Sequence, residues 1–202
     1  PADDVKRNIP IVYLNNTDMK EYYSVECNHY EGGYLAGKEL IKKNCKRIVL
    51  LTNNKTASSV NSKIQGFKDA LQKYNIPTYP ELIFRLDVKE GIFEDSLHTI
   101  NKIIEDNISF DGIFATNDLR AHAALVALQN HNIKIPDEVK IVGYDGTSIS
   151  KYANPPISTI YQDKKILATK TSSLLLNLIN EEGINFDKHT VIPVKLIERK
   201  TT

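Results

Sequence analysis

The segment from Asp111 to Gly146 constrains the fold more tightly than any other part of this chain. Ile113-Phe114-Ala115 is a short apolar run that stops at Thr116-Asn117-Asp118, where helix-starting residues take over. Leu119, Ala123, Val126 and Ala127 then recur at helical spacing, Asn132 offers a left-handed exit, and Pro136 forbids further helix. Ile141-Val142-Gly143-Tyr144 is a second apolar run, closed by Asp145-Gly146. The unit reads as strand, helix, strand. In an open parallel sheet, ligands bind beyond the carboxyl ends of the strands, so Asn117, Asp118 and Asp145 are expected along one rim.

The same alternation runs through most of the chain. Further strands are expected at 11–14, 24–27, 47–52, 81–86 and 190–197, and further helices at 30–43, 59–74, 92–106 and 166–180. The second of these helices aligns Val60, Ile64, Phe67, Leu71 and Tyr74 on one face; the last aligns Leu167, Thr171, Leu174, Leu175 and Leu178. Repeated alternation predicts an α/β fold built on a doubly wound parallel sheet, with 47–52, 81–86, 112–117, 140–145 and 190–197 as its strands.

Composition narrows the function classes. A length of 202 residues allows one large domain or two small lobes. A net charge of +1 gives no broad footprint for nucleic acid or an anionic membrane. No apolar run approaches the roughly 18 residues of a membrane span, and the polar start PADDVKRNIP does not read as a secretion leader. Cys27 and Cys45 lack metal-site spacing, and two free thiols suit a reducing, cytoplasmic setting. Neither metal nor cofactor is expected. The five histidines are scattered and no G-x-S-x-G or H-E-x-x-H occurs, while Glu181-Glu182 reads as a solvated helix end, so no enzyme is expected. Gly32 to Lys38 satisfies the spacing G-x-x-x-x-G-K, but Glu39 stands where a nucleotide loop needs Ser or Thr. These glycines are expected to permit close helix packing instead.

The 111–146 unit resembles the effector-binding core of the LacI/GalR family of bacterial transcription regulators, which reads "D-x-I-F-x-x-N-D", helix, "V-P-x-D-V-x-V-V-G-[FY]-D". Four more stretches carry the resemblance in order: Asn28 to Gly33 resembles "D-N-x-x-G-G", Ser59 to Phe67 resembles "S-x-x-x-R-x-x-G-F", Pro155 to Gln162 resembles "PPLTTVxQ", and Leu196 to Arg199 resembles "LIxR". The resemblance implies a two-lobed, periplasmic-binding-protein-like type I core. Residues 28–160 and 186–202 would form a nearly complete C-terminal lobe, with 1–27 and 161–185 as part of the N-terminal lobe. It also implies a longer regulator, whose further N-terminal βα units and helix-turn-helix headpiece lie outside this chain.

Six residues are expected to bind ligand: Asn15, Ser59, Lys63, Asn117, Asp145 and Gln162. Asp145 reads either as a turn former or as a carboxylate accepting hydrogen bonds from ligand hydroxyls, which are short and orienting. Asn117 and Asp118 are both good helix caps; one can cap while the other faces ligand, and the resemblance favours Asn117 as the contact. Lys63, in the first turn of its helix, is an exposed lysine or, by resemblance, replaces the family's ligand-forking arginine without the bidentate geometry. Ser59 is an N-cap or a hydroxyl contact. Asn15 ends the first strand, where the family places an acid or amide against a sugar. Gln162 binds ligand or holds the hinge. Leu86 stands where several relatives carry a stacking aromatic, and Phe84 reads as core.

The expected function is therefore effector sensing in a transcriptional regulator, most simply a repressor, with a sugar or related metabolite closing the lobes within a homodimer. Operator DNA would be met only through the headpiece. The rivals are a solute-binding protein of a sugar transporter on the same fold, and a small hydrolase on a flavodoxin-like sheet.

Overall fold

Parallel ladders sort the strands of this protein into two sheets. The structure is a computed structural model that describes residues 9–15, 21–54, 57–180 and 187–202. Strand β1 (Val12–Leu14) pairs with β2 (Tyr23–Cys27), and β2 pairs with β8 (His189–Ile192), all parallel. The larger sheet runs in the order β4 (Ile83–Leu86), β3 (Ile48–Asn53), β5 (Gly112–Ala115), β6 (Lys140–Asp145), β7 (Ser158–Tyr161), β9 (Lys195–Ile197). Its first four ladders are parallel and the last, between β7 and β9, is antiparallel.

Alternation along the strands builds two cores on the larger sheet. Ile48, Leu50, Phe114, Val142 and Tyr144 point to helices α1 (His29–Lys42) and α2 (Ser58–Lys73), whose Ala36, Leu40, Ile64, Phe67 and Leu71 cover them. Val49, Leu51, Ile113, Ala115 and Ile141 point the other way, to α3 (Ile92–Glu105) and α4 (Asp118–Asn130), through Ile100, Ile103, Ala121, Ala124, Leu125 and Leu128. Both faces are covered, as a parallel sheet requires. Across the strands β6 and β7, the short helix α5 (Ser148–Tyr152) joins the rim. The smaller sheet has a thinner core, in which Val25, Cys27 and Ile192 meet Leu167 and Leu174 of α6 (Lys164–Ile179).

Helices α1 to α4 end in one manner. Asn44, Asn75, Asn107 and Asn132 take φ of 66°, 54°, 54° and 57° just past the cap. The next residue's N–H returns to the carbonyl five positions back: Cys45 to Leu40, Ile76 to Leu71, Ile108 to Ile103 and Ile133 to Leu128. Each of those residues is apolar and tucks against a core, completing the stop.

Helices α1 and α2 cross closely because two glycines face each other's backbones. A Cβ on Gly33 would lie 1.9 Å from the Lys63 carbonyl oxygen, and one on Gly66 would lie 1.9 Å from that of Tyr30. Gly32 to Lys38 is thus helix interior and not a phosphate loop, as its Tyr-Leu-Ala interior suggests.

Three expectations need correction. The strand expected at 190–197 is two strands: Pro193 has no N–H to continue a ladder, and the chain passes there from the smaller sheet (β8) to an antiparallel place in the larger one (β9). The last strand of the larger sheet is therefore not parallel. Ser158–Tyr161, visible in the sequence only as part of a motif, is the buried strand β7. Glu181-Glu182 lie outside the described residues. Cys27 and Cys45 are free and buried.

Candidate functional site

Parallel register fixes where the polar strand ends gather. Ile113 pairs with Ile141 and Phe114 with Val142, so Asn117, after β5, and Asp145, ending β6, lie on the same border. Tyr161 pairs with Asp145, which sets Gln162 beside it. Lys63 reaches this border from α2, and Asn15 stands at the end of β1 in the smaller sheet with φ of 51°.

Asp145, its amide partner Gln162 and the nearby Lys63 cation form the polar heart of the set. Gln162 Nε2 donates to Asp145 Oδ1 across 2.7 Å. Asp145 holds φ at 104°, a conformation costly for any residue with a Cβ, and one that clusters at functional sites. Burial pushes its carboxyl up to about 6, against the opposing pull of the Lys63 cation, with Asp118 adding to the rise. Lys63 donates to the Thr116 carbonyl across 3.2 Å, and its Nζ lies 3.8 Å from the centroid of the Tyr144 ring. Burial lowers the Lys63 pKa, while Asp145, Cys27 and Asp118 oppose that shift. A cation, a carboxylate and amides at one rim can orient a polyhydroxylated ligand by charge-assisted hydrogen bonds.

His29, the first residue of α1, was not singled out by its sequence pattern, yet it joins the two sheets. Its Nδ1 is 3.2 Å from the Tyr144 hydroxyl and its Nε2 is 3.3 Å from Asn15 Oδ1. Burial, and then the Lys63 cation, push its protonation down to about 3, so it is neutral near pH 7. Its sequence signal was its place within the Asn28–Gly33 motif, directly after Asn28, whose side chain caps α1 by accepting from Glu31 N–H. Tyr144 was legible as core but not as the floor beneath Lys63.

The remaining residues fall as follows. Asn117 caps α4, its Oδ1 accepting from Arg120 N–H at 2.8 Å. Asp118 turns inward, 1% exposed, and takes the Thr147 N–H at 2.6 Å and hydroxyl at 2.8 Å, with the Thr159 hydroxyl on its other oxygen. It ties the exits of β5 and β6 to strand β7. Ser59 is not an N-cap: α2 starts at Ser58, so Ala57 takes the cap position and Ser59 stands inside the helix. The earlier start also moves Lys63 from the first turn to the second. Leu86 and Phe84 both pack on the α3–α4 core. Burial raises the thiols of Cys27 to about 11 and Cys45 to about 12, leaving both unreactive at neutral pH. Among the described residues no cluster of three metal-ligating side chains occurs, and no helix is long and apolar enough to cross a membrane.

Residues 38–202 match the periplasmic binding protein-like domain family. The chain is 31% identical over 204 residues to the HTH-type transcriptional repressor PurR of Histophilus somni (strain 2336), covering 96% of this chain and 57% of that protein. This chain is a LacI/GalR-family effector-binding core. The same LacI/GalR core is 30% identical to the HTH-type transcriptional regulator MalR of Clostridium butyricum, over 98% of this chain and 58% of that protein. It thus spans little more than half the length of these curated relatives. Among solved structures, it matches a LacI family transcriptional regulator from Enterococcus faecium with bound ribose at a TM-score of 0.86 and 26% identity, over 98% of this chain and 72% of that one. A periplasmic binding protein/LacI transcriptional regulator from Alkaliphilus metalliredigens QYMF, complexed with D-xylulofuranose, matches at 0.82 and 28%, over 96% and 70%. CcpA of Lactococcus lactis, at 0.88 and 20% over 100% and 73%, shares the fold of this LacI/GalR core.

Proposed function

We propose that this core senses a sugar or sugar-like metabolite for a cytoplasmic LacI/GalR-type regulator, most simply a repressor, and has no catalytic role. The effector sits between two lobes: residues 28–160 and 186–202 on one side, with the small-sheet strand at 189–192 excepted, and 1–27 with 161–185 on the other. Lys63, Asn117, Asp145 and Ser59 line one wall, Asn15 the other, and Gln162 the hinge. Asn117 serves ligand only through its Nδ2 end, because its Oδ1 caps α4.

The observation that carries this reading is the convergence of Lys63, Asp145 and Gln162 on one border of the sheet. It is supported by the sugars in two matched structures, ribose and D-xylulofuranose. Effector binding closes the lobes within a homodimer and changes the spacing of the operator-reading headpieces. Such coupling amounts to about 1–3 kcal/mol per site and requires the effector to prefer one lobe arrangement. A transporter's solute-binding protein on the same fold is the competing reading; the naming of the curated relatives as HTH-type regulators favours sensing.

Thermal-shift screening of ribose, xylulose, sugar phosphates and nucleobases tests the proposal. A ligand at 100 times its dissociation constant adds about 2.7 kcal/mol of stability. Lys63→Ala and Asp145→Ala should each abolish the shift. Both variants responding like the parent would show that the pocket lies elsewhere.

A further inference from the structure

The orientation of the Asn15 amide follows from its partners. The Cys27 backbone N–H only donates, and it lies 3.1 Å from one end of that amide, which must therefore be Oδ1. His29 Nε2 lies 3.3 Å from the same oxygen and so carries a proton. In a neutral imidazole the other nitrogen is then an acceptor, and the Tyr144 hydroxyl donates to it across 3.2 Å. Burial beside the Lys63 cation keeps the ring neutral.

Each end of this relay meets a wall of the cleft. At Asn15, Oδ1 is occupied twice, so only the Nδ2 end is left to serve a ligand. At Tyr144, the anchored hydroxyl fixes the ring whose face holds Lys63 Nζ at 3.8 Å. Behind the ring, Gly32 leaves room for the hydroxyl: a Cβ there would lie 2.3 Å from the Tyr144 oxygen. His29 is itself 5% exposed and is shielded from direct ligand contact.

We propose that His29 is a positioning residue that turns the donor end of the Asn15 amide toward the cleft and, through the Tyr144 hydroxyl, fixes the ring on which the Lys63 cation rests. The inference rests on the sensing function proposed above and deepens it. What it selects is a ligand that offers an acceptor oxygen to Asn15 Nδ2, as a sugar hydroxyl or ring oxygen does.

Two measurements on this chain test it, using D-ribose as the probe. Nitrogen NMR of the ribose-free protein at neutral pH should show His29 protonated on Nε2, with Nδ1 bearing an acceptor's shift that changes in Tyr144→Phe. A proton on Nδ1, or averaging between tautomers, overturns the proposal. Calorimetry supplies the second measurement. His29→Gln keeps one donor and one acceptor and should bind ribose within about threefold of the parent, whereas His29→Leu should lose about tenfold, the worth of one neutral hydrogen bond. Asn15→Asp keeps both inward hydrogen bonds but turns an acceptor outward, and should also lose about tenfold or more. This last variant decides the matter even where His29→Leu fails to fold. Ribose binding the parent, His29→Leu and Asn15→Asp alike would overturn this proposal alone. Failure of the sugar panel to bind the parent would overturn the sensing reading instead, with the imidazole tautomer still read by NMR.

Discussion

The two sheets differ in how completely they bury themselves. The larger one is covered on both faces, and Val49, Leu50, Leu51, Ile113, Phe114, Ala115, Ile141 and Val142 all have no exposed surface. Among the described residues, the smaller one buries Val25, Cys27 and Ile192 against Leu167 and Leu174 of α6, and that helix leaves Leu176 57% and Ile179 54% exposed. Stability is not uniform across such a molecule: thinly packed regions open first. The larger sheet carries Asp145 and Asn117 at its rim, with Lys63 on a covering helix, while the smaller sheet carries Asn15.

The contrast can be broken most directly in the cores. Phe114→Ala should cost about 3–5 kcal/mol and Leu174→Ala, at the thinner core, nearer to about 2 kcal/mol by urea denaturation. Equal losses would erase the distinction. On the binding side, Asp145→Asn should weaken sugar affinity about a hundredfold, because it replaces a charge-assisted hydrogen bond worth up to about 3 kcal/mol. Asn15→Ala, on the lighter sheet, should lose about tenfold. A larger loss at Asn15 would shift the anchor of the ligand to the smaller sheet.

Acid sharpens the comparison at the joint between the sheets. The folded pKa of His29, about 3, lies below its ordinary 6.5. As pH falls below 6.5, the unfolded chain takes up a proton that the folded one refuses, so stability is lost toward acid, by about 2 kcal/mol at pH 5. His29→Gln should flatten that limb of the stability profile; an unchanged limb would mean His29 is not the group refusing the proton. The smallest effect concerns ligand affinity. Asp145 is ionised above about 6 and gains a proton below it. Sugar affinity should therefore weaken by up to about tenfold per pH unit below 6, as the charge-assisted hydrogen bonds are lost. A flat calorimetric profile between pH 7 and 5 would remove Asp145 from the contacts.

Much of the larger sheet was readable from residue order alone, since a buried parallel strand such as Ile113-Phe114-Ala115 advertises itself as an unbroken apolar run. The LacI/GalR membership was equally legible from five motifs. What escaped was non-local. Pro193 marked a break, but nothing nearby revealed that the two halves serve different sheets. Ser59 looked like a cap because propensity favours serine there, yet the helix starts at Ser58 with Ala57 in the cap position. His29 lay inside the Asn28–Gly33 motif, but its role was hidden there because it depends on Asn15 and Tyr144, which lie 14 and 115 positions away. Asn117 and Asp118 both read as caps, with the resemblance favouring Asn117 as the contact; Asn117 takes the cap, and three hydroxyl and amide donors surround Asp118.

The close approach of α1 to α2 has a consequence for inheritance. The peptide of Lys63 presses on Gly33, so a single added methyl there would have nowhere to go and would displace the lysine itself. In a genetic screen, Gly33→Ala should then behave like an effector-blind allele, although residue 33 is not one of the proposed ligand contacts.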